Sequence, residues 1–283
     1  MKVAIIGASG QLGTDLVEIF GEEAIPFTHR DLEVTDIKSL EILKEHKPDV
    51  IINTAAYHKT DDCEIYPEKT FQVNAIGALN VAKIANEIGA INLYISTDYV
   101  FDGEKNEPYT EEDHPNPINI YGLSKYVGEI LTRNYSLKYY IIRVASLYGK
   151  AGASGKGGNF VEFMIKKAKS GEKIYVVDDM FMSPTYTKDV ALTLRRFLKM
   201  KPEFGVYHMV NEGHCSWYDF TKAIFEILGW HVELKPIKTN ELKRLAKRPK
   251  FSALKNMKLE KIGLKMRHWR EALRDYLREK GYI

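Results

Sequence analysis

The sequence predicts an α/β protein built on a doubly wound parallel sheet, followed by a smaller α/β unit. Three observations carry this. Over the first 150 residues short β-branched runs alternate with helical patterns. A glycine-punctuated turn, Gly7-Ala-Ser-Gly10-Gln-Leu-Gly13, directly follows the first apolar run. A later run ends in Ser96-Thr97-Asp98, at the kind of strand end where an open parallel sheet presents groups to a ligand.

The strands fall at 2–7, 25–28, 49–54, 92–97 and 139–145, with helices at 11–20, 37–45, 68–88 and 121–134 between them. Right-handed crossovers then put helices on both faces of the sheet and ligands at the carboxyl ends of its strands. Residues 1–148 make up this first unit. Beyond Tyr148 comes Gly149-Lys-Ala-Gly-Ala-Ser-Gly-Lys-Gly-Gly158, too rich in glycine for a regular element and expected to be mobile, which sets the boundary. The second unit, 149–283, reads as a helix at 159–170, a strand at 173–177, a helix from about residue 188, a strand at 205–210 and helices at 217–228 and 268–280. Some of these segments are expected to return to the first sheet. In the closing helix Trp269, Leu273 and Leu277, at i, i+4 and i+8, are packing residues.

A chain of 283 residues with 45% hydrophobic content can bury one large core or two modest ones. Its 41 basic residues nearly balance 38 acidic ones, so the surface is of mixed sign and no nucleic-acid partner is expected. No apolar run approaches the roughly 20 residues of a membrane span and no basic leader precedes an apolar stretch, so no membrane association and a cytoplasmic location are expected. Cys63 and Cys215 stand far apart without ligand spacing, against a disulfide framework or a zinc site. The exception to the even charge is 238–250, where Lys238, Lys243, Arg244, Lys247, Arg248 and Lys250 form either a solvated face or a site for a diphosphate.

The chemistry begins at the glycine turn. Backbone N–H groups and the positive end of the following helix face whatever sits there, which suits a pyrophosphate. The spacing is GxxGxxG rather than GxGxxG, and it is the position, after a strand and at the start of a helix, that marks a Rossmann dinucleotide site. At the end of the second strand an acidic residue would favour NAD. Thr28-His29-Arg30 stands there instead, and Arg30 can pair with a 2′-phosphate, so NADPH is expected, with NADH as the alternative.

A YxxxK spacing puts a tyrosine and a lysine one turn apart on one helix face, where the ammonium favours the phenolate and makes the phenol a better proton donor. The chain holds three such pairs, Tyr121/Lys125, Tyr218/Lys222 and Tyr276/Lys280. Tyr121 and Lys125 are singled out because Tyr121 opens a helix after the loop Asp113-His-Pro-Asn-Pro117, downstream of the strand ending at Thr97. Thr97 adds a hydroxyl at that strand end, and the three together make a proton-transfer site. None of the eight histidines forms a comparable arrangement.

These segments, with Asn53-Thr-Ala-Ala-Tyr57, Ser96-Thr-Asp-Tyr-Val-Phe-Asp-Gly103, Tyr121-Gly-Leu-Ser-Lys125 and Lys247-Arg-Pro-Lys-Phe-Ser252, resemble the dTDP-4-dehydrorhamnose reductase family of extended short-chain dehydrogenases/reductases across essentially the whole chain. The resemblance implies reduction of the 4-keto group of dTDP-4-dehydro-6-deoxy-L-mannose to dTDP-L-rhamnose. It implies that Tyr121 is the proton donor, that Lys125 holds the nicotinamide ribose, and that Thr97 bonds the sugar carbonyl. It further assigns Gly10, Gln11 and Leu12, with Gly7 and Gly13, to the pyrophosphate, Glu33 and Val34 to the adenine side, and Ala55, Ala56 and Tyr57 to the cofactor. Asp98, Ser146 and Arg248 fall to the nucleotide-sugar substrate, and residues 149–283 to a mainly substrate-binding domain. Where many such reductases have tryptophan and glutamine this chain has Ser146 and Met180, which leaves a related deoxysugar open. A homodimer and a Mg²⁺ dependence follow from the resemblance alone, since no carboxylate cluster in the sequence demands a metal. Two other readings are a non-catalytic regulatory subunit of the methionine adenosyltransferase type and a sugar-nucleotide epimerase or dehydratase on the same scaffold.

Overall fold

The computed structural model describes residues 1–152 and 158–283. Of the glycine-rich run expected at 149–158, residues 153–157 lie outside the described residues. The first half of the chain gives β1 (Val3–Ile6), α1 (Gln11–Phe20), β2 (Ala24–Phe27), α2 (Ile42–His46), β3 (Val50–Asn53), α3 (Thr60–Ile65), α4 (Pro67–Phe71), α5 (Gly77–Glu87), β4 (Ile91–Thr97), α6 (Ile120–Tyr135) and β5 (Tyr139–Val144). There follow β6 (Leu147–Tyr148), α7 (Phe160–Lys169), β7 (Ile174–Val177), β8 (Phe181–Met182), β9 (Thr185–Tyr186), α8 (Thr187–Met200), β10 (Gly205–His208), β11 (Cys215–Ser216), α9 (Trp217–Leu228), β12 (Leu234–Ile237), α10 (Met257–Lys261) and α11 (Trp269–Glu279).

Among the described residues six strands form one sheet in the order β10-β5-β4-β3-β1-β2, every pair parallel. Such a sheet is covered on both faces, which is why β1 is a continuous apolar run and β3 is apolar up to its last residue, Asn53. Alternate residues serve opposite faces. Val3, Ile5, Val50, Ile52, Leu93 and Ile95 pack with Leu12 and Leu16 of α1 and Leu194 and Phe197 of α8. Ala4, Ile6 and Ile51 pack on the other side with Val81, Ile84 and Ala85 of α5. The chain leaves β1 for β2 on one flank and returns to β3 on the other, so the β1/β3 junction is the switch point where such sheets bind ligand.

Both α8 and β10 come from beyond residue 149 and complete the first sheet. A separate core joins Tyr148, Val161, Ile165, Phe220, Trp269 and Leu273, drawn from β6, α7, α9 and α11. Trp269, Leu273 and Leu277 are buried there, as the periodicity of the closing helix required.

Two helices depart from expectation. The helix expected at 37–45 is a 3₁₀ turn, Ser39–Glu41, followed by the short α2, which ends at Lys47 in a left-handed conformation. The helix expected at 68–88 is broken by a π-helical turn, Gln72–Ile76. The break has a visible use. Asn74, within it, turns its side chain inward to bond Tyr57 and Ser124.

No helix of the described residues is long and apolar enough to cross a membrane. Leu194 is fully buried between α8, α1 and the sheet. Leu194→Ala is therefore expected to destabilise the protein by about 3 kcal/mol, read as a lower urea midpoint at unchanged slope. A loss under about 1 kcal/mol would mean that α8 is not part of the cooperative core.

Candidate active site

Strand ends and helix starts build one cleft of about 840 Å³ over the β1/β3 junction. At its floor the turn after β1 packs closely. A Cβ on Gly13 would lie 2.1 Å from the carbonyl oxygen of Gly7, so only glycine permits α1 to start there. The N-cap of α1 is Gly10, with no side-chain cap, which leaves the first-turn amides open to a ligand. Gly7, Gly10, Gln11 and Leu12 line the cleft, while Gly13 is buried beneath them and does not. Gln11 is tied down by a 2.8 Å bond from Nε2 to the carbonyl of Leu147.

Glu33 and Val34 line the adjoining wall, together with His29, whose Nδ1 lies 3.0 Å from the Glu33 carboxylate. Arg30, expected to meet a 2′-phosphate, is exposed and outside the lining. Its neighbour His29 borders the cleft with its side chain largely exposed, beside a turn that the Asp31 carboxylate closes on Thr28. From β3 the lining continues through Ala55, Ala56 and Tyr57. This segment is braced from behind: Asn53 Oδ1 accepts from Ala55 N at 3.1 Å, and Asn74 bonds both the N–H and the carbonyl of Tyr57, at 2.8 and 2.9 Å. Asn74 also donates to Ser124 Oγ on α6 at 2.9 Å, joining the cofactor side to the helix that carries the tyrosine.

Helix α6 starts where it does for local reasons. Asn119 Oδ1 accepts from Gly122 N at 2.8 Å, and Glu64 Oε1 accepts from Ile120 N at 2.8 Å. Gly122 then lets the first turn lie on the end of β4, since a Cβ there would sit 2.0 Å from the Tyr99 carbonyl oxygen. The result is that Tyr121 and Thr97 line the same cleft, with the Thr97 hydroxyl close enough to act on the phenol. Burial pushes the Tyr121 phenol well above its ordinary value, and the Thr97 hydroxyl works the other way. One turn on, Lys125 is buried, its Nζ 4.0 Å from the centre of the Tyr94 ring, and burial brings its ammonium down to about 7. Thr97, Asp98, Tyr121, Lys125 and Ser146 all line the same cleft. The site can hold a proton on a phenol beside a lysine whose charge is finely balanced.

Tyr276 is fully buried, bonded to Glu162 and Asn159, and Lys222 pairs with Glu226, so the other two tyrosine–lysine pairs stand outside the cleft. Arg248 is also outside. Its guanidinium reaches Asp61 at 3.1 Å and the Ala246 carbonyl at 3.1 Å, because Asp61 on α3 offers it a carboxylate. Lys238 pairs with Asp178 at 2.8 Å, so two of the six cations of the basic segment, Lys238 and Arg248, are paired within the fold. Met180 is buried away from the lining. Phe160, Phe163 and Trp217 form the far wall, which no motif points to: their spacing is that of any amphipathic helix. Among the described residues no group of three or more histidine, cysteine or acidic side chains can hold a metal ion.

A switch-point glycine turn facing a tyrosine–lysine helix defines a dinucleotide-dependent oxidoreductase of the extended short-chain dehydrogenase/reductase class. Within that class the chain belongs to the RmlD substrate binding domain family, whose model matches residues 1–281. It is similar to the spore coat polysaccharide biosynthesis protein SpsK of Bacillus subtilis (strain 168), at 40% identity over 99% of this chain and 98% of that one. It is also similar to the crystal structure of a dTDP-4-dehydrorhamnose reductase from Clostridium acetobutylicum ATCC 824, with 40% identity, a TM-score of 0.94, and coverage of 99% of this chain and 100% of that chain. A dTDP-4-dehydrorhamnose reductase from Bacillus anthracis str. Ames, solved in complex with NADP, matches at 41% identity and a TM-score of 0.93, over 99% and 100% of the two chains.

Asp98 gives this site a pH signature. The side chain is 3% exposed, and burial raises its carboxyl from 3.8 to about 6 against hydrogen bonds from Ser252 and Thr97. A folded value above the unfolded one means that the native state binds the proton more tightly, so stability falls as pH rises from about 4 to about 6. The loss is on the order of 3 kcal/mol and complete above that window. Asp98→Asn should therefore raise Tm at about pH 8 and leave it nearly unchanged at about pH 4. An equal shift at both pH values would rule out desolvation of the carboxylate as the cause.

Proposed function

We propose that the protein is an NADPH-dependent reductase that converts the 4-keto group of dTDP-4-dehydro-6-deoxy-L-mannose to the hydroxyl of dTDP-L-rhamnose. The observation that carries the reading is the convergence of Thr97, Tyr121 and Lys125 on a cleft whose other end is the uncapped start of α1. The reductase names of the relatives, one of them solved with NADP, support both the reaction and the cofactor.

The residues present fit a dinucleotide. The open amides at the start of α1 suit its pyrophosphate, with Gly7, Gly10, Gln11 and Leu12 around it. Glu33 and Val34 would flank the adenosine, and Ala55, Ala56 and Tyr57 the middle of the cofactor. When bound, the reduced nicotinamide supplies the hydride that the sugar carbonyl accepts. The protein's part is to place and protonate that carbonyl. Thr97 donates a hydrogen bond to its oxygen, and Tyr121 delivers the phenolic proton as negative charge develops there. A phenol held above its ordinary value keeps that proton until the acceptor becomes basic enough to take it. Lys125, when charged, holds the nicotinamide ribose and favours the phenolate that remains. Asp98 and Ser146 face the sugar from the ends of β4 and β5. A cytoplasmic location suits an enzyme that draws on NADPH and a nucleotide-linked sugar.

Tyr121→Phe is expected to lower kcat by about 10²–10⁴-fold while leaving the NADPH Kd within about threefold. NADPH oxidation, followed by absorbance with the keto sugar made in situ by its dehydratase and epimerase, measures the first; fluorescence titration measures the second. Near-normal turnover in the variant would move the proton donor elsewhere. One NADPH consumed per sugar reduced is also expected, and turnover without net consumption would mean an epimerase.

A further inference from the structure

Three residues of α6 stand in line at i, i+4 and i+8, Tyr121, Lys125 and Glu129, and the third has no place in the reaction as described. Glu129 is 3% exposed and held on three sides. Its Oε1 accepts from Ser96 Oγ at 2.5 Å and from Arg143 Nε at 2.9 Å, and its Oε2 accepts from Arg143 Nη2 at 2.7 Å. Ser96 is the residue before Thr97, and Arg143 lies opposite it in the β4–β5 register. Stability offers no reason for this arrangement. A buried ion pair gains about as much as its desolvation costs, and apolar residues of similar volume do as well or better.

Lys125 supplies the reason. Among the described residues it makes no ion pair, and its ammonium rests on the Tyr94 ring. Around it stand Tyr94 from β4, Tyr121 and Glu129 from its own helix, Asp98 at the cleft, Arg143 from β5 and His208 from β10 beyond. His208 is fully buried and burial, with Arg143 beside it, drives its ring down to about 3, so it carries no charge near neutrality. Arg143 is already taken up by Glu129. The charge that opposes the discharge of Lys125 is that of Glu129.

We propose that Glu129 is a positioning residue for the reduction, a carboxylate clamped by Arg143 and Ser96 that holds a charged Lys125 ammonium next to Tyr121. The inference rests on the proposed roles of Tyr121 and Lys125. Burial and Glu129 pull the lysine in opposite directions, and the balance at about 7 sits where a modest change of field changes its charge. The two bonds from Arg143 hold the carboxylate in place, and Ser96 fixes it to the strand that ends in Thr97. One carboxylate thus ties the hydroxyl, the phenol and the ammonium to a common frame.

Three variants test this through the pH profile of kcat. Glu129→Gln removes the charge and keeps the shape. Glu129→Gln combined with Arg143→Met removes both ions, so that no buried charge is stranded if the single variant folds poorly. Glu129→Asp keeps the charge. The first two should move the alkaline limb of kcat down by about one pH unit, losing about tenfold at about pH 8 and less than threefold at about pH 6. Glu129→Asp should keep the limb where the unmodified enzyme has it. A merely structural role would lower Tm, or lower kcat by the same factor at every pH. A folded double variant whose limb coincides with that of the unmodified enzyme, or a Glu129→Asp limb displaced as far as that of Glu129→Gln, overturns the proposal. Failure of the unmodified enzyme to oxidise NADPH with the keto sugar would instead refute the reductase reading, and the inference with it.

Discussion

The active site depends on how closely the first turn of α6 lies against the end of β4. Gly122 over the Tyr99 carbonyl leaves no room for a side chain, and the Asn119 cap fixes the residue at which the helix begins. Move that start by one residue and the tyrosine and lysine rotate by roughly 100° around the helix axis, away from the strand. Thr97 meets Tyr121 only because helix and strand touch at this point. The same contact carries Lys125 onto Tyr94, and through Asn74 and Ser124 it is coupled to the segment after β3. Backbone crowding sets the geometry here, and side-chain chemistry exploits it.

That geometry takes ionisable groups out of water, and each one opposes stability. Asp98, Tyr121 and Lys125 are all shifted towards their neutral forms, with burial the largest cause in every case. A proton donor needs this poise, and the fold sustains it by packing the surrounding sheet tightly on both faces. The π-helical turn at Gln72–Ile76 belongs to the same pattern: a local departure from regular helix at the place where Asn74 must reach inward.

Much of the fold was legible because parallel strands buried on both faces leave an unmistakable mark. Largely apolar runs at β1, β3 and β4, each followed by helical segments, allow few other architectures. Short strands such as β6, β8, β9 and β11 have two residues each and no periodicity to read. The break in the helix expected at 68–88 escaped because π turns keep the composition of the helix around them. Among the site residues, those tied to backbone geometry were legible: the glycine turn, Thr97 at its strand end, Tyr121 at its helix start. Arg30 points to solvent and Arg248 pairs with Asp61, and nothing near either residue in the chain foretells it.

The sequence by itself determined the five parallel strands of the first half, the glycine turn, and the residue types for proton transfer. It held three tyrosine–lysine pairs of equal spacing, and only neighbouring segments told them apart. Tertiary structure decided which polar groups meet: that Asn74 braces Tyr57, that Glu129 is clamped between Ser96 and Arg143, and that Gly13 packs under the cofactor turn instead of lining it. The division has a physical reason. Helix and strand arise from periodic burial over a few residues, which a linear pattern records. A contact such as that of Asn119 with Lys247 joins residues 128 apart, and its partners are set by how the layers close.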